Sequence, residues 1–141
     1  MRFMMIMKGD PPSDASWDHE FVGQIVSAMR AYDADLRKAG VLIATEGLYP
    51  SWKSKGIRFA AGEPPRVVDG PFAEAKEVVA GFYIIDVASE EEAIEWAKRC
   101  PIDVALGPGM ETIFEVRQVA DVPSEDMTSE LASEIIGGTI S

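Results

Sequence analysis

The sequence predicts an α+β fold, an antiparallel sheet with two main helices on one face, and two observations lead there. Apolar runs and helical repeats follow the order strand, helix, strand, two hairpin strands, strand, helix, strand, which places both helices in crossovers of one sheet. The strand candidates at 3–7, 41–44 and 82–85 are apolar at successive positions, so both of their faces call for burial; an antiparallel sheet with one wet face would alternate. Two helices cover one face only. A second copy stacked on the other face would cover the rest, giving a ferredoxin-like layer closed as a dimeric α/β barrel.

Each element has its own signal. Residues 3–7 read as the first strand, and Gly9-Asp10-Pro11-Pro12-Ser13-Asp14 as a loop. The spacing predicts a helix over 17–39, because Val22, Ile25, Met29, Tyr32 and Leu36 recur at three- and four-residue steps on one face. Gly40 is its stop, since glycine adopts the left-handed conformation that ends helices. Strands are expected at 41–45 and 57–61, the second followed by the turn Gly62-Glu63-Pro64-Pro65. Arg66-Val67-Val68 begins the next strand, a tight turn follows, and another strand runs over 80–87. Ser89-Glu90-Glu91-Glu92 opens the second helix as a capping box, with Ser89 accepting from the backbone three residues on and Glu92 reaching back. Ala93, Ile94, Ala97 and Cys100 give that helix its apolar side and Pro101 terminates it. The last strand is expected over 111–119, with Ile113, Glu115 and Arg117 on one face and Phe114 and Val116 on the other. Glu115 and Arg117, two residues apart on one face, are placed to form an ion pair. The core domain is thus read as 1–120. The remaining segment, 121–141, is an acidic tail in which Met127, Leu131 and Ile135 lie at helical spacing before Gly137-Gly138.

Composition narrows the function classes. A chain of 141 residues with 47% apolar and 26% charged residues fits one globular domain. No apolar run approaches the length needed to span a bilayer, so no membrane association is expected and the reading is a cytoplasmic protein. A formal net charge of −11, with 13 basic residues scattered along the chain, argues against direct nucleic-acid binding, which needs clustered Lys and Arg. One cysteine and one histidine leave neither an internal disulfide nor a usual cysteine or histidine metal cage. Cys100 reads as a small buried apolar residue and His19 as a solvated first-turn residue. No dinucleotide or phosphate-loop glycine pattern is present. No metal and no cofactor are expected.

Chemistry, if present, concentrates at Asp69-Gly70-Pro71-Phe72. Gly70 permits unusual dihedrals and Pro71 fixes φ, so the Asp69 carboxylate is held at a strand end. Two roles stand for Asp69: a turn cap accepting backbone N–H groups, or binding and proton transfer. A catalytic role would be favoured by burial that raises its pKa toward neutrality. Phe72 plugs the core edge or walls a pocket. Glu74 and Lys76 belong either to a solvated charge run or to a polar pocket rim. Glu46, at the exit of the second strand, is a further candidate ligand-binding residue.

The motif Asp69-Gly70-Pro71-Phe72, then Glu74, Lys76-Glu77 and Gly81-Phe82-Tyr83, resembles the YCII-related family, in the branch named for its Asp-Gly-Pro-Phe motif. Gly9-Asp10, the 46–50 exit, Ala93-Ile94-Glu95-Trp96-Ala97, Pro101, Gly107 and Glu115-Val116-Arg117 extend the resemblance over about residues 1–119. It implies a ferredoxin-like dimer related to muconolactone-isomerase-type barrels, with a cleft between the first helix and the sheet near the motif. Smaller relatives carry a helix-one histidine proposed to work with an aspartate; here that position falls near Met29, which cannot transfer protons, so the pair is not carried over. Two functions follow as expectations. One is an enzyme performing acid/base chemistry on a small organic molecule, with Asp69 catalytic and Phe72, Glu74, Lys76 and Glu46 binding the ligand. The other is a non-catalytic ligand-binding or regulatory module, which the resemblance links to extracytoplasmic-function sigma factors.

Overall fold

The computed structural model describes residues 1–10, 19–70, 78–106, 109–120 and 127–137. Its element order is β1 (Arg2–Lys8), α1 (His19–Lys38), β2 (Leu42–Gly47), β3 (Lys55–Arg58), β4 (Arg66–Asp69), β5 (Val79–Asp86), α2 (Glu90–Lys98), β6 (Phe114–Gln118) and α3 (Ser129–Ile135). Short 3-10 turns occupy Ser51–Lys53 and Ile102–Ala105. Four strands form one sheet in the order β2-β5-β1-β6, antiparallel throughout, while β3 and β4 form a separate two-stranded ribbon. The α+β class, the antiparallel sheet and the helices on one face are as the sequence predicts.

The core lies between the sheet and the helices. Phe3 and Met5 of β1, Tyr83 and Ile85 of β5, Tyr32 and Leu36 of α1, and Ala93 of α2 are buried together, with Met29, Trp96 and Phe114 packed against them. These strand residues share one face by the two-residue period, and Tyr32 and Leu36 share a helix face by the four-residue step. Tyr83 meets Tyr32 and Phe114 edge-on, with ring centroids 5.4 and 6.4 Å apart. Edge-to-face contact suits the charge distribution of aromatic rings. On the opposite face, Met4, Phe82 and Ile84 are half-buried and Ile43 is 50% exposed.

Local rules account for the helix ends. Gly40 has φ +74°, its N–H donates to the Arg37 carbonyl, and Val41 N–H donates to Leu36, the bonding pattern of a glycine-terminated helix. Ser89 accepts from Glu92 N at 3.1 Å, as the capping box predicts, while the Glu92 carboxylate accepts from Ala88 N at 2.9 Å. Thr128 caps α3 in the same way through Leu131 N. Two boundaries differ from the sequence reading. The third strand is Lys55–Arg58 rather than 57–61, because a turn closed by Glu63 N–H to the Ala60 carbonyl takes the chain out of the ribbon early. The last strand begins at Phe114 rather than 111, since pairing with β1 stops at Met7 opposite Phe114.

Candidate functional site

The ribbon is held to the domain by a polar node that joins three distant stretches of chain. Asp10, just beyond β1, accepts from Ser51 N at 2.7 Å and from the Ser51 hydroxyl. Ser51 is only 5% exposed, so a carboxylate answering both of its donors removes a burial cost. Ser54 Oγ donates to the Ser51 carbonyl at 2.5 Å, and Gly70 N donates to the Ser54 carbonyl at 3.0 Å. The β4 end thereby rests on the 51–54 turn.

Gly70 has a different physical role from the one expected. Its φ is not among the positive values, so unusual dihedrals are not the reason for glycine here. A Cβ at this position would lie 1.9 Å from the Ser51 carbonyl oxygen. The motif glycine allows one backbone to sit directly on another.

Beside the node runs an open groove of about 630 Å³, walled by residues 48–51 and 53–55 on one side and Val78 and Val79 on the other. That volume is within the range of small-molecule sites. The groove carries Lys53, Lys55, Ser51 and Ser54 as polar groups against Leu48, Tyr49, Pro50 and the two valines. Lys53 stands over the Tyr49 ring, 4.8 Å from its centroid. Lys55 donates to Asp69 Oδ1 across the ribbon, in the register that makes the two residues Cα partners. In a chain of net charge −11, the charged groups that line this groove among the described residues are two lysines.

Of the residues singled out in the sequence, Asp69 and Glu46 fall among those described, whereas Phe72, Glu74 and Lys76 lie outside them. Asp69 is at the ribbon end, its side chain 75% exposed and in contact with a groove lysine. It therefore stands in water rather than in a buried setting. Glu46 is exposed on β2 opposite Phe82, two residues before the groove wall begins at Leu48. Neither carboxylate lines the groove itself. Met29 packs against the core, and His19 is exposed at the first residue of α1.

A second polar contact joins α1 to the sheet: Tyr83 donates its hydroxyl to Asp33 Oδ1 at 2.8 Å. Burial, reinforced by that carboxylate, pushes the Tyr83 pKa well up, so the phenol stays protonated as a donor. Tyr32, raised mainly by burial, donates to the Trp96 carbonyl at 2.7 Å. Cys100 is buried, and desolvation, with Asp33 and Asp103 adding to it, pushes its thiol up to about 12. It is the inert apolar cysteine read from the sequence. On the other sheet face Lys8 donates to Glu115 at 2.6 Å and Arg117 donates to the same carboxylate, as the spacing of Glu115 and Arg117 predicts. The hydrogen bond from Lys8 is the largest influence and holds the Glu115 carboxyl below its ordinary range; burial opposes it, and the Arg117 hydrogen bond adds to the lowering.

Asp10, Ser51, Lys53, Ser54 and Lys55 escaped the sequence reading. Gly9-Asp10 and the 46–50 exit were visible as punctuation, but nothing local indicates that the carboxylate of one loop caps the turn after the other.

The sequence profile of the YCII-related domain matches residues 1–123, most of the chain. The chain belongs to the YCII-related family. An uncharacterised protein of Rhizobium meliloti (strain 1021) is 32% identical over 120 residues, covering 85% of this chain and 93% of that protein. Among solved structures, this YCII-related chain is similar to 5-chloro-2-hydroxyhydroquinone dehydrochlorinase of Burkholderia phenoliruptrix in complex with 2,5-dihydroxybenzoquinone. The two share 18% identity at a TM-score of 0.43, over 84% of this chain and 93% of the other. No helix among the described residues is long and apolar enough to cross a membrane.

Proposed function

We propose that this YCII-related protein binds a small organic molecule in the groove beside Asp69 and performs acid/base chemistry on it. The observation that carries this reading is the Lys55–Asp69 contact at the groove edge, where an ammonium donor and a carboxylate acceptor meet. Lys53 and Lys55 would attract and orient an anionic group of the ligand. Asp69, which stands as a hydrogen-bond acceptor, would take a proton from the bound molecule, and Glu46, Phe72, Glu74 and Lys76 would complete the surroundings of the ligand. The protein would act as a homodimer, the second copy covering Met4, Phe82, Ile84 and Ile43. Proton abstraction is read directly by deuterium exchange into a panel of small organic acids in heavy water. Exchange that persists unchanged in Asp69→Asn would remove Asp69 from the mechanism.

A second reading is a binding or regulatory module without turnover, and two observations favour it. Asp69 is three-quarters exposed, where water competes with any base. The C-terminal α3 region also leaves Met127, Ile135 and Ile136 exposed, at 41, 44 and 80%, and a partner would dock there. The expected partner would be an extracytoplasmic-function sigma factor, as the family resemblance implies. Retention of such a factor from a native-host lysate, abolished by Ile135→Asp/Ile136→Asp, supports this reading; no retention by the intact chain defeats it.

A further inference from the structure

Arg58 and Arg66 are Cα partners across the β3–β4 ribbon, so their side chains leave the same face at directly opposed positions. Like charges so placed destabilise a strand pair. The other end of the same ribbon obeys the opposite rule, with Lys55 facing Asp69 in an ion pair. The chain has 24 acidic residues against 13 basic ones, yet among the described residues neither arginine forms an ion pair, and both are exposed. By strand alternation their face is the one opposite Lys55, Ile57 and Asp69, so the pair stands apart from the lysine contact of the groove.

We infer that Arg58 and Arg66 form a two-pronged site for an oxyanion, a carboxylate or a phosphate group, held between their guanidinium planes. The arginine fork matches the spacing of carboxylate and phosphate oxygens, and one anion shared by both forks replaces repulsion with attraction on each side. Binding would therefore also tighten the ribbon, because a ligand that binds only the formed pair stabilises it.

The test uses the full chain labelled with nitrogen-15. Inorganic phosphate is titrated in one arm and citrate in the other, both at ionic strength held constant with chloride. The expected result is a saturable shift confined to the amides of 55–58 and 66–69; the arm that saturates at lower concentration identifies phosphate or carboxylate as the preferred group. The shift should vanish in Arg58→Gln/Arg66→Gln and weaken at least tenfold in Arg58→Lys/Arg66→Lys, which keeps the charge and loses the fork. Without added oxyanion, ribbon amides should exchange more slowly in the glutamine pair than in the parent, because the repulsion is gone. Non-saturable shifts, equal shifts in the glutamine pair, or faster ribbon exchange in that pair would each overturn the site. Equal affinity in the lysine pair would overturn the fork geometry.

Discussion

Gly70 lies against the Ser51 carbonyl so closely that a methyl group on its α-carbon would overlap that oxygen, at 1.9 Å. The contact joins the motif turn to the turn that walls the groove, and it does so through backbone atoms on both sides.

Gly70→Ala should therefore destabilise the protein by about 2–3 kcal/mol, the scale of overpacking against groups that cannot move aside. Chemical denaturation measures it. A stability within experimental error of the parent would show that the 51–54 turn yields freely.

Asp10 answers two donors of a buried serine, one of them the Ser51 backbone at 2.7 Å. Asp10→Ala should cost about 1–3 kcal/mol by leaving those donors unsatisfied. Asp10→Asn, which keeps one acceptor oxygen, should cost less. The groove residues 48–55 should also lose protection from amide exchange in Asp10→Ala, and an unchanged exchange pattern there would separate Asp10 from the groove.

The Cys100 thiol, raised to about 12 mainly by burial, should react slowly with an aromatic disulfide reagent at neutral pH and rapidly once the chain is unfolded. The sign for stability follows from proton binding. The folded state keeps the thiol proton at a pH where the unfolded chain has lost it, near the ordinary cysteine value of about 8.5. The contribution is thus complete below that value and is lost as pH rises toward 12. Cys100→Ala should flatten the alkaline fall in stability; an identical alkaline limb would refute the assignment.

Glu115 works in the opposite direction. Its carboxyl is held low by the Lys8 hydrogen bond, and then by Arg117. Its stabilising contribution is present above the ordinary glutamate range, about 4.3, and is lost as pH falls through the lower folded value. Lys8→Met should bring the acid unfolding midpoint to higher pH. A midpoint that stays in place would show that the Lys8 contact contributes nothing to acid resistance.

Much of the fold was legible because its signals are local. Val22, Ile25, Met29, Tyr32 and Leu36 define one helix side wherever that helix is placed, and Tyr32 and Leu36 are indeed buried in the core. Gly40 and the Ser89–Glu92 cap mark their boundaries by backbone geometry alone. Asp69 and the glycine after it were visible as a special turn, but the reason for the glycine was not. Dihedral freedom is a property of the residue itself, whereas the 1.9 Å approach depends on Ser51, which the motif does not contain.

The sequence by itself determined the order and type of the elements, the inert character of the single cysteine and the family to which the chain belongs, because periodicity, burial preference and motif are carried by neighbouring residues. Only the tertiary structure decided that Asp10 caps Ser51, that Lys55 faces an exposed Asp69, and that Arg58 stands opposite Arg66. Those relationships follow from strand register and loop docking, where a shift of one residue along the ribbon would send each side chain to the other face and leave every local signal unchanged.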